Sequence, residues 1–362
     1  MIFIKSIAMV NGSKKFDGIF MDMFATREAL KELDYKVNWY QCVDKSHLKD
    51  YYLDENVVLG IKLPLNDIEM GINRLFVFPR KLKNLKEDII FISEPTLLKI
   101  SENYNDTIIK IHDIRPLTKY SDKIFTKMIF SYLLPKLKYV RLIVVTTNHM
   151  GEELSKMGYE IEKIRVVREI PLIKPNREHY IKSLDRIQNE KELNILYIAT
   201  DRPYKNISFF LNLANEIKKI KINYDFKFHL VSNLKDKNRE IISRMELKNL
   251  KVYSNVKNIE DIYELSDVLV YPSLYEGFGR PIIEAMAFGI PVIANNIQPF
   301  IEIVGDHGKL INVENTKKWI DAITSLTDEE TYRNYSKLSI ERAEYYSLEN
   351  MKIDLKNALK GF

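Results

Sequence analysis

Carboxylates, glycines and cations gather at a few places in this chain, and the densest stretch runs from Tyr271 to Asn295. Glu276 stands against Gly277 and Gly279, with Phe278 between them, and Glu284 follows in the apolar segment that begins at Pro281. A glycine-rich loop opening a helix exposes backbone N–H groups and the positive end of the helix dipole, a natural seat for an anion such as a pyrophosphate. A carboxylate beside that seat is badly placed to hold phosphate, so its task is to accept hydrogen bonds from ribose or sugar hydroxyls. Two cations, Arg202 and Lys205, follow another apolar run in Thr200-Asp-Arg-Pro-Tyr-Lys-Asn206. There a guanidinium fork and an ammonium point charge suit a departing diphosphate. His112-Asp113 closes the apolar run Thr107–Ile111, and Gly18, less clearly Gly12, lies in the loop after the first apolar run. The plainer alternative is an ordinary strand–loop–helix corner with solvated glutamates, a solvated basic loop and a structural histidine. The joint occurrence of both glutamates with Gly277, Gly279, Pro281, Gly289 and Pro291 weighs against it.

The elements that must position these residues alternate between two periods. Phe3–Val10, Tyr35–Val43, Val57–Leu63, Asp88–Ser93, Thr107–Ile111, Val140–Thr146 and Ile164–Arg168 have the length and apolar content of strands. Ile19–Leu33, Ser121–Leu134 and a segment from about His149 have helical spacing between them. A second alternating series follows, with strands at Leu193–Ala199, Phe226–Val231, Val268–Pro272 and Val292–Ala294. Its helices are expected over Ile207–Ile220, Ile259–Leu265, Thr316–Ser325, Glu329–Tyr346 and Leu348–Leu359. Strands separated by helices predict parallel sheets covered on both faces. The expected division is an N-terminal Rossmann-like domain over 1–170, a connection over 171–192, a C-terminal Rossmann-like domain over 193–346, and a last helix, 347–362.

The glutamate–glycine stretch resembles the nucleotide-sugar signature of the retaining GT-B glycosyltransferases of family four. The likeness is strong over 193–311 and loose over 1–170. Family members carry an Arg and a Lys after the first strand of the second half, usually with a wider gap and a Gly after the Lys; here Asn206 follows. They often carry a His where His112 stands, and a Gly-Gly pair where this chain has only Gly18. The resemblance implies an α/β GT-B fold with an interdomain cleft, the last helix returning to the first domain. It also implies a hexosyl transfer from a UDP- or GDP-linked sugar to a glycan, lipid-linked or protein acceptor, with retention at the anomeric carbon and no required metal or cofactor. Glu284 would then hold the ribose. Glu276 would hold the donor sugar, Arg202 and Lys205 the diphosphate, and Gly277, Phe278 and Gly279 the backbone side of the donor. His112 and Gly18 would come from the other half. Two other readings stay open: an epimerase or hydrolase acting on nucleotide sugars, and a non-catalytic nucleotide-sugar binder.

Composition narrows the classes further. With 362 residues, 46% hydrophobic and 29% charged, the chain suits two globular domains. Its single cysteine, Cys42, precludes an internal disulfide and points to a reducing, cytoplasmic setting. There is no Asp-x-Asp, no zinc-spaced Cys/His cluster, no His-Glu-x-x-His, no Walker A loop and no Gly-x-Ser-x-Gly. The net charge of +5 lies in the first half, where residues 1–180 hold 29 basic and 24 acidic side chains. Lys110–Arg141 alone has eight basic and two acidic residues interleaved with Ile124, Met128, Phe130 and Leu133. A basic, apolar segment of this kind predicts peripheral contact with a membrane surface. Nucleic acid is not expected, because no nucleic-acid motif accompanies the charge.

Overall fold

The structure, a computed structural model, describes residues 5–12, 18–42, 56–58, 67–121, 124–174, 176 and 178–362. Two compact units divide the chain: Met1–Ile170 with Leu348–Phe362, and Pro171–Ser347.

The first unit is built on a seven-stranded sheet of β1 (Ser6–Asn11), β2 (Lys36–Gln41), β3 (Asn56–Val58), β4 (Ile89–Ile92), β5 (Thr107–Ile111), β6 (Leu142–Val145) and β7 (Ile164–Val166). Their order across the sheet is β3-β2-β1-β4-β5-β6-β7, every neighbouring pair parallel. β4, β5 and β6 are buried along their whole length. That is why they read as continuous apolar runs rather than alternating ones: helices cover both faces of a parallel sheet. Part of the Val57–Leu63 strand expectation, together with Phe3, Val43 and most of the Asn11–Gly18 loop, lies outside the described residues.

The second unit repeats the plan with six strands: β8 (Glu192–Ile198), β9 (Asp225–Val231), β10 (Leu250–Tyr253), β11 (Val268–Tyr271), β12 (Val292–Asn295) and β13 (Lys309–Ile311). The order is β10-β9-β8-β11-β12-β13, again all parallel. Residues from Pro171 onward fold with this unit, where the helix His179–Asp185 buries His179, Ser183 and Leu184. β10 and β13 are the two strands that sequence pattern did not anticipate. Both are sheet edges with half-covered side chains, so neither shows the apolar run of a central strand. The helix Asp236–Met245 escaped notice for a related reason: none of its residues is fully buried, and its short apolar stripe, Ile241, Ile242 and Met245, only partly packs against the core.

Candidate donor site

In the second sheet the strand order reverses beside β8, whose neighbours are β9 on one side and β11 on the other. Loops leaving the carboxyl ends of strands at such a reversal diverge to opposite faces and leave a crevice for a ligand. The two loops here are Thr200–Asn206, after β8, and Pro272–Gly279, after β11. They hold the cations and the first glutamate.

The two loops are stitched together by backbone. Leu274 N–H donates to the Tyr204 carbonyl at 2.7 Å, and the Asn206 side-chain amide donates to the Pro272 carbonyl at 3.3 Å. Asn206 ends the short turn Pro203–Lys205 in the left-handed region, φ 54°, a conformation that asparagine tolerates better than most residues. The buried Tyr197 hydroxyl donates to the Lys205 carbonyl and lies 3.1 Å from Ser273 Oγ. Lys205 is thereby aimed across the gap, and its ammonium is paired with Glu276 Oε1. The Tyr271 hydroxyl donates to the same oxygen at 3.0 Å. Burial, then the neighbouring Glu276 carboxylate, pushes the Tyr271 phenol well above its usual pKa, so it stays a neutral donor. The Lys205 and Tyr271 contacts to the Glu276 carboxylate both fall on Oε1, and the pair remains partly open to solvent, each side chain 12% exposed. Arg202 heads the same turn, its N–H donating to the Thr200 carbonyl at 2.8 Å.

Glu284 lies on the helix Arg280–Ala287, one face of which, Ile282, Ile283 and Met286, is fully buried. Pro281 takes its second position, where the missing N–H has no helical partner. Gly279 caps this helix at φ 107°, and a Cβ there would come 2.8 Å from the Phe300 ring. Glu284 is only 9% exposed, and the buried Tyr263 hydroxyl donates to its Oε2 at 2.8 Å. Phe278 turns its ring into the core against Tyr346, 5.8 Å between centroids, so only its backbone is left for a ligand. The structure therefore brings Lys205 and Glu276 into direct contact and sets Glu284 against Tyr263.

His112 and Gly18 belong to the first unit. His112 sits at the end of β5 with Nδ1 3.4 Å from Glu169 and Nε2 3.7 Å from Asp22. Asp22, entirely buried on the helix Gly18–Glu32, is neutralised by the buried Lys110 ammonium at 2.6 Å. Asp22, His112 and Glu169 are the group among the described residues whose ligand atoms lie close enough to hold a metal ion, but Lys110 already supplies a cation there. The arrangement fixes the imidazole between two carboxylates. Sequence reasoning missed Asp22, Lys110 and Glu169, as well as Tyr263 and Tyr271. One signal was available: Lys110 is a lone charge inside an otherwise apolar strand, and such a residue must find a buried counter-charge. Of the two glycines near β1, the crowded one is Gly12, where a Cβ would run into Glu94; at Gly18 a Cβ would meet open space.

The comparisons with known proteins bear on the same segment. The family model of glycosyl transferases group 1 matches residues 182–342. This segment belongs to that family. The O-antigen chain mannosyltransferase RfbU of Salmonella typhimurium is 29% identical over 231 residues, 61% of this chain and 61% of that protein. The O-antigen chain mannosyltransferase B of Escherichia coli is 36% identical over 104 residues, 27% of this chain and 26% of its own length. The chain thus spans less than two thirds of the curated relatives it matches. Among solved structures, HepE of Anabaena in complex with UDP and glucose superposes with a TM-score of 0.77 at 15% identity, covering 98% of this chain and 99% of that one. A TarM mutant of S. aureus in complex with UDP and two sugar ligands gives 0.76 at 14% identity, covering 98% and 99%. The fold is the α/β GT-B fold.

Proposed function

We propose that this protein is a retaining hexosyltransferase that takes its sugar from a nucleoside diphosphate donor and needs no metal ion. The observation that carries the reading is the Lys205–Glu276–Tyr271 cluster at the strand reversal of a glycosyl transferases group 1 segment. Departure of the nucleoside diphosphate builds negative charge on the phosphates. Arg202, Lys205 and the N-terminal end of the helix Arg280–Ala287 would stabilise that charge without a divalent cation. Glu276 would exchange its ammonium partner for donor-sugar hydroxyls near the developing oxocarbenium centre, and Glu284 would accept from the ribose. His112, held by Asp22 and Glu169, would act on the sugar side. Mannosyl donors are the first to try, since two relatives are named as mannosyltransferases.

A thermal-shift panel of uridine and guanosine diphosphates and their sugars, with and without EDTA, tests the reading. A matching donor should raise the melting temperature by several degrees, and EDTA should leave that shift and the transfer rate unchanged. Arg202→Ala and Glu284→Ala should each cut transfer at least about tenfold in folded protein. No stabilisation by any nucleotide, or unchanged turnover in both variants, overturns it. Release of free sugar or of an isomerised donor without acceptor would instead mark a hydrolase or an epimerase.

The acceptor side carries a second feature. On the helix Ile124–Leu133, Ile124, Met128 and Tyr132 are 82%, 64% and 57% exposed and four residues apart, so they form one apolar stripe facing solvent. Exposed Lys127 and Lys138 flank it, while Phe130, Leu133 and Leu134 face the core. Lys123 lies outside the described residues. This face would rest on an anionic membrane surface and meet a lipid-linked acceptor there. No helix among the described residues is long and apolar enough to cross a membrane.

A further inference from the structure

We propose that Tyr263 is a positioning residue for Glu284, setting the carboxylate that takes the ribose hydroxyls of the nucleoside diphosphate. The inference rests on the reading of Glu284 as the ribose-binding group. Tyr263 lies outside the glutamate–glycine stretch Tyr271–Asn295; it comes from the short helix Glu260–Glu264 that precedes β11. Its ring is completely buried and stacks on Phe288, 5.5 Å between centroids and 24° between planes. Phe288 is the residue that closes the helix carrying Glu284, and its other neighbour is the His179 ring at 6.0 Å. The phenol is therefore locked to the same helix that it must serve.

A glutamate on a helix has three side-chain torsions, and a ribose diol accepts only one setting of the carboxylate. Anchoring one oxygen removes most of that freedom before the ligand arrives, which lowers the ordering cost of binding. The 2.8 Å bond from the Tyr263 hydroxyl to Glu284 Oε2 is such an anchor, and a donor to an ionised acceptor makes one of the stronger kinds of hydrogen bond. Burial, then the Glu284 carboxylate, pushes the Tyr263 phenol well above its usual pKa, so it remains a donor throughout the neutral range. Glu284 is itself nearly buried, so losing this donor would leave its charge to a looser arrangement.

The test is equilibrium binding of UDP, GDP, dUDP and dGDP to the full chain and to Tyr263→Phe, Glu284→Ala and the double variant. The wild type should prefer the ribose form of its nucleotide over the 2′-deoxy form. Tyr263→Phe should reduce that preference about three- to tenfold, by weakening the ribose form while leaving the deoxy form unchanged. In the Glu284→Ala background, where the preference is already gone, Tyr263→Phe should add nothing. Tyr263→Met is a second hydroxyl-free side chain if the phenylalanine variant does not fold. Equal weakening of both nucleotides, or an undiminished preference, overturns the proposal while leaving the donor reading intact. A wild type that binds none of the four nucleotides overturns the donor reading itself, and the proposal with it.

Discussion

At the scale of single residues, the candidate donor site holds its opposite charges against each other. Lys205 and Glu276 are paired, and Tyr271 adds a neutral donor to the same carboxylate oxygen. On the proposed reading, a diphosphate would take the ammonium from Glu276 and a sugar hydroxyl would take its place. Glu276→Gln removes the competing charge. It should leave affinity for the nucleoside diphosphate unchanged or tighter, while transfer from the donor sugar falls at least about tenfold. Lys205→Ala should instead weaken diphosphate binding about tenfold, because a largely buried carboxylate is left without its ammonium partner. Calorimetry with the nucleoside diphosphate beside a transfer assay separates the two effects. Equal losses in binding and turnover for Glu276→Gln would show that the glutamate only shapes the loop.

Among the elements, the helix Arg280–Ala287 depends on a backbone conformation that side-chain chemistry does not reveal. Gly279 caps it at φ 107° with the Phe300 ring where a Cβ would go. Gly279→Ala combines a left-handed strain with a clash against a fully buried ring, so it should cost about 1–3 kcal/mol by urea denaturation. Gly18→Ala is the matched control: it meets open space and should stay within about 0.5 kcal/mol of the wild type. If the two variants were equally stable, the crowding at Gly279 would have relaxed at no cost. Both glycines drew attention in the sequence, yet only one is required by geometry around it. The amphipathic helix Ile124–Leu133 makes the same point in reverse: its apolar positions were legible, but which of them face the core was not.

Across the whole molecule, buried histidines link stability to pH. His229 lies in the second unit, with Asn194 Oδ1 2.8 Å from one ring nitrogen and the Tyr253 hydroxyl 2.9 Å from the other. Burial, with Lys251 nearby, lowers its pKa from 6.5 to about 4, and burial lowers that of His179 as well. Both are bound neutral in the folded protein and charge more readily when unfolded. The unfolded chain therefore takes up more protons below pH 6.5, and stability must fall as pH drops from about 6.5 towards 4. His229 alone accounts for up to about 3 kcal/mol of this loss. Urea midpoints measured across that window should fall with pH, and His229→Gln should flatten the slope; a flat wild-type profile would contradict the assignment. On the opposite surface chemistry, vesicles containing anionic lipid should retain the wild type at low salt. Neutralising Lys127, Lys136 and Lys138 together, or Met128→Glu alone, should release it. No binding to such vesicles at low salt would remove the membrane face from the acceptor reading.

What the sequence determined by itself was whatever is written in neighbouring residues. Continuous apolar runs such as Leu142–Val145 and Val268–Tyr271 announce strands buried on both faces, since such unbroken, β-branched runs suit the interior of a parallel sheet. The order strand, glycine loop, proline, helix around Glu276 and Glu284 is equally local, and it was enough to mark a nucleotide-sugar signature. Edge strands such as Lys309–Ile311 carry no such run, since half their surface faces solvent. The tertiary structure decided which residues meet. Lys205 reaches Glu276 only because β8 and β11 are neighbours at the reversal of the sheet order, and Tyr263 reaches Glu284 across 21 positions of chain, with its ring stacked on Phe288. Lys110 likewise finds Asp22 across 88 positions of chain, a separation that no local pattern encodes. Partners brought together by topology leave no trace in spacing, because the geometry that joins them belongs to the sheet and not to the segment.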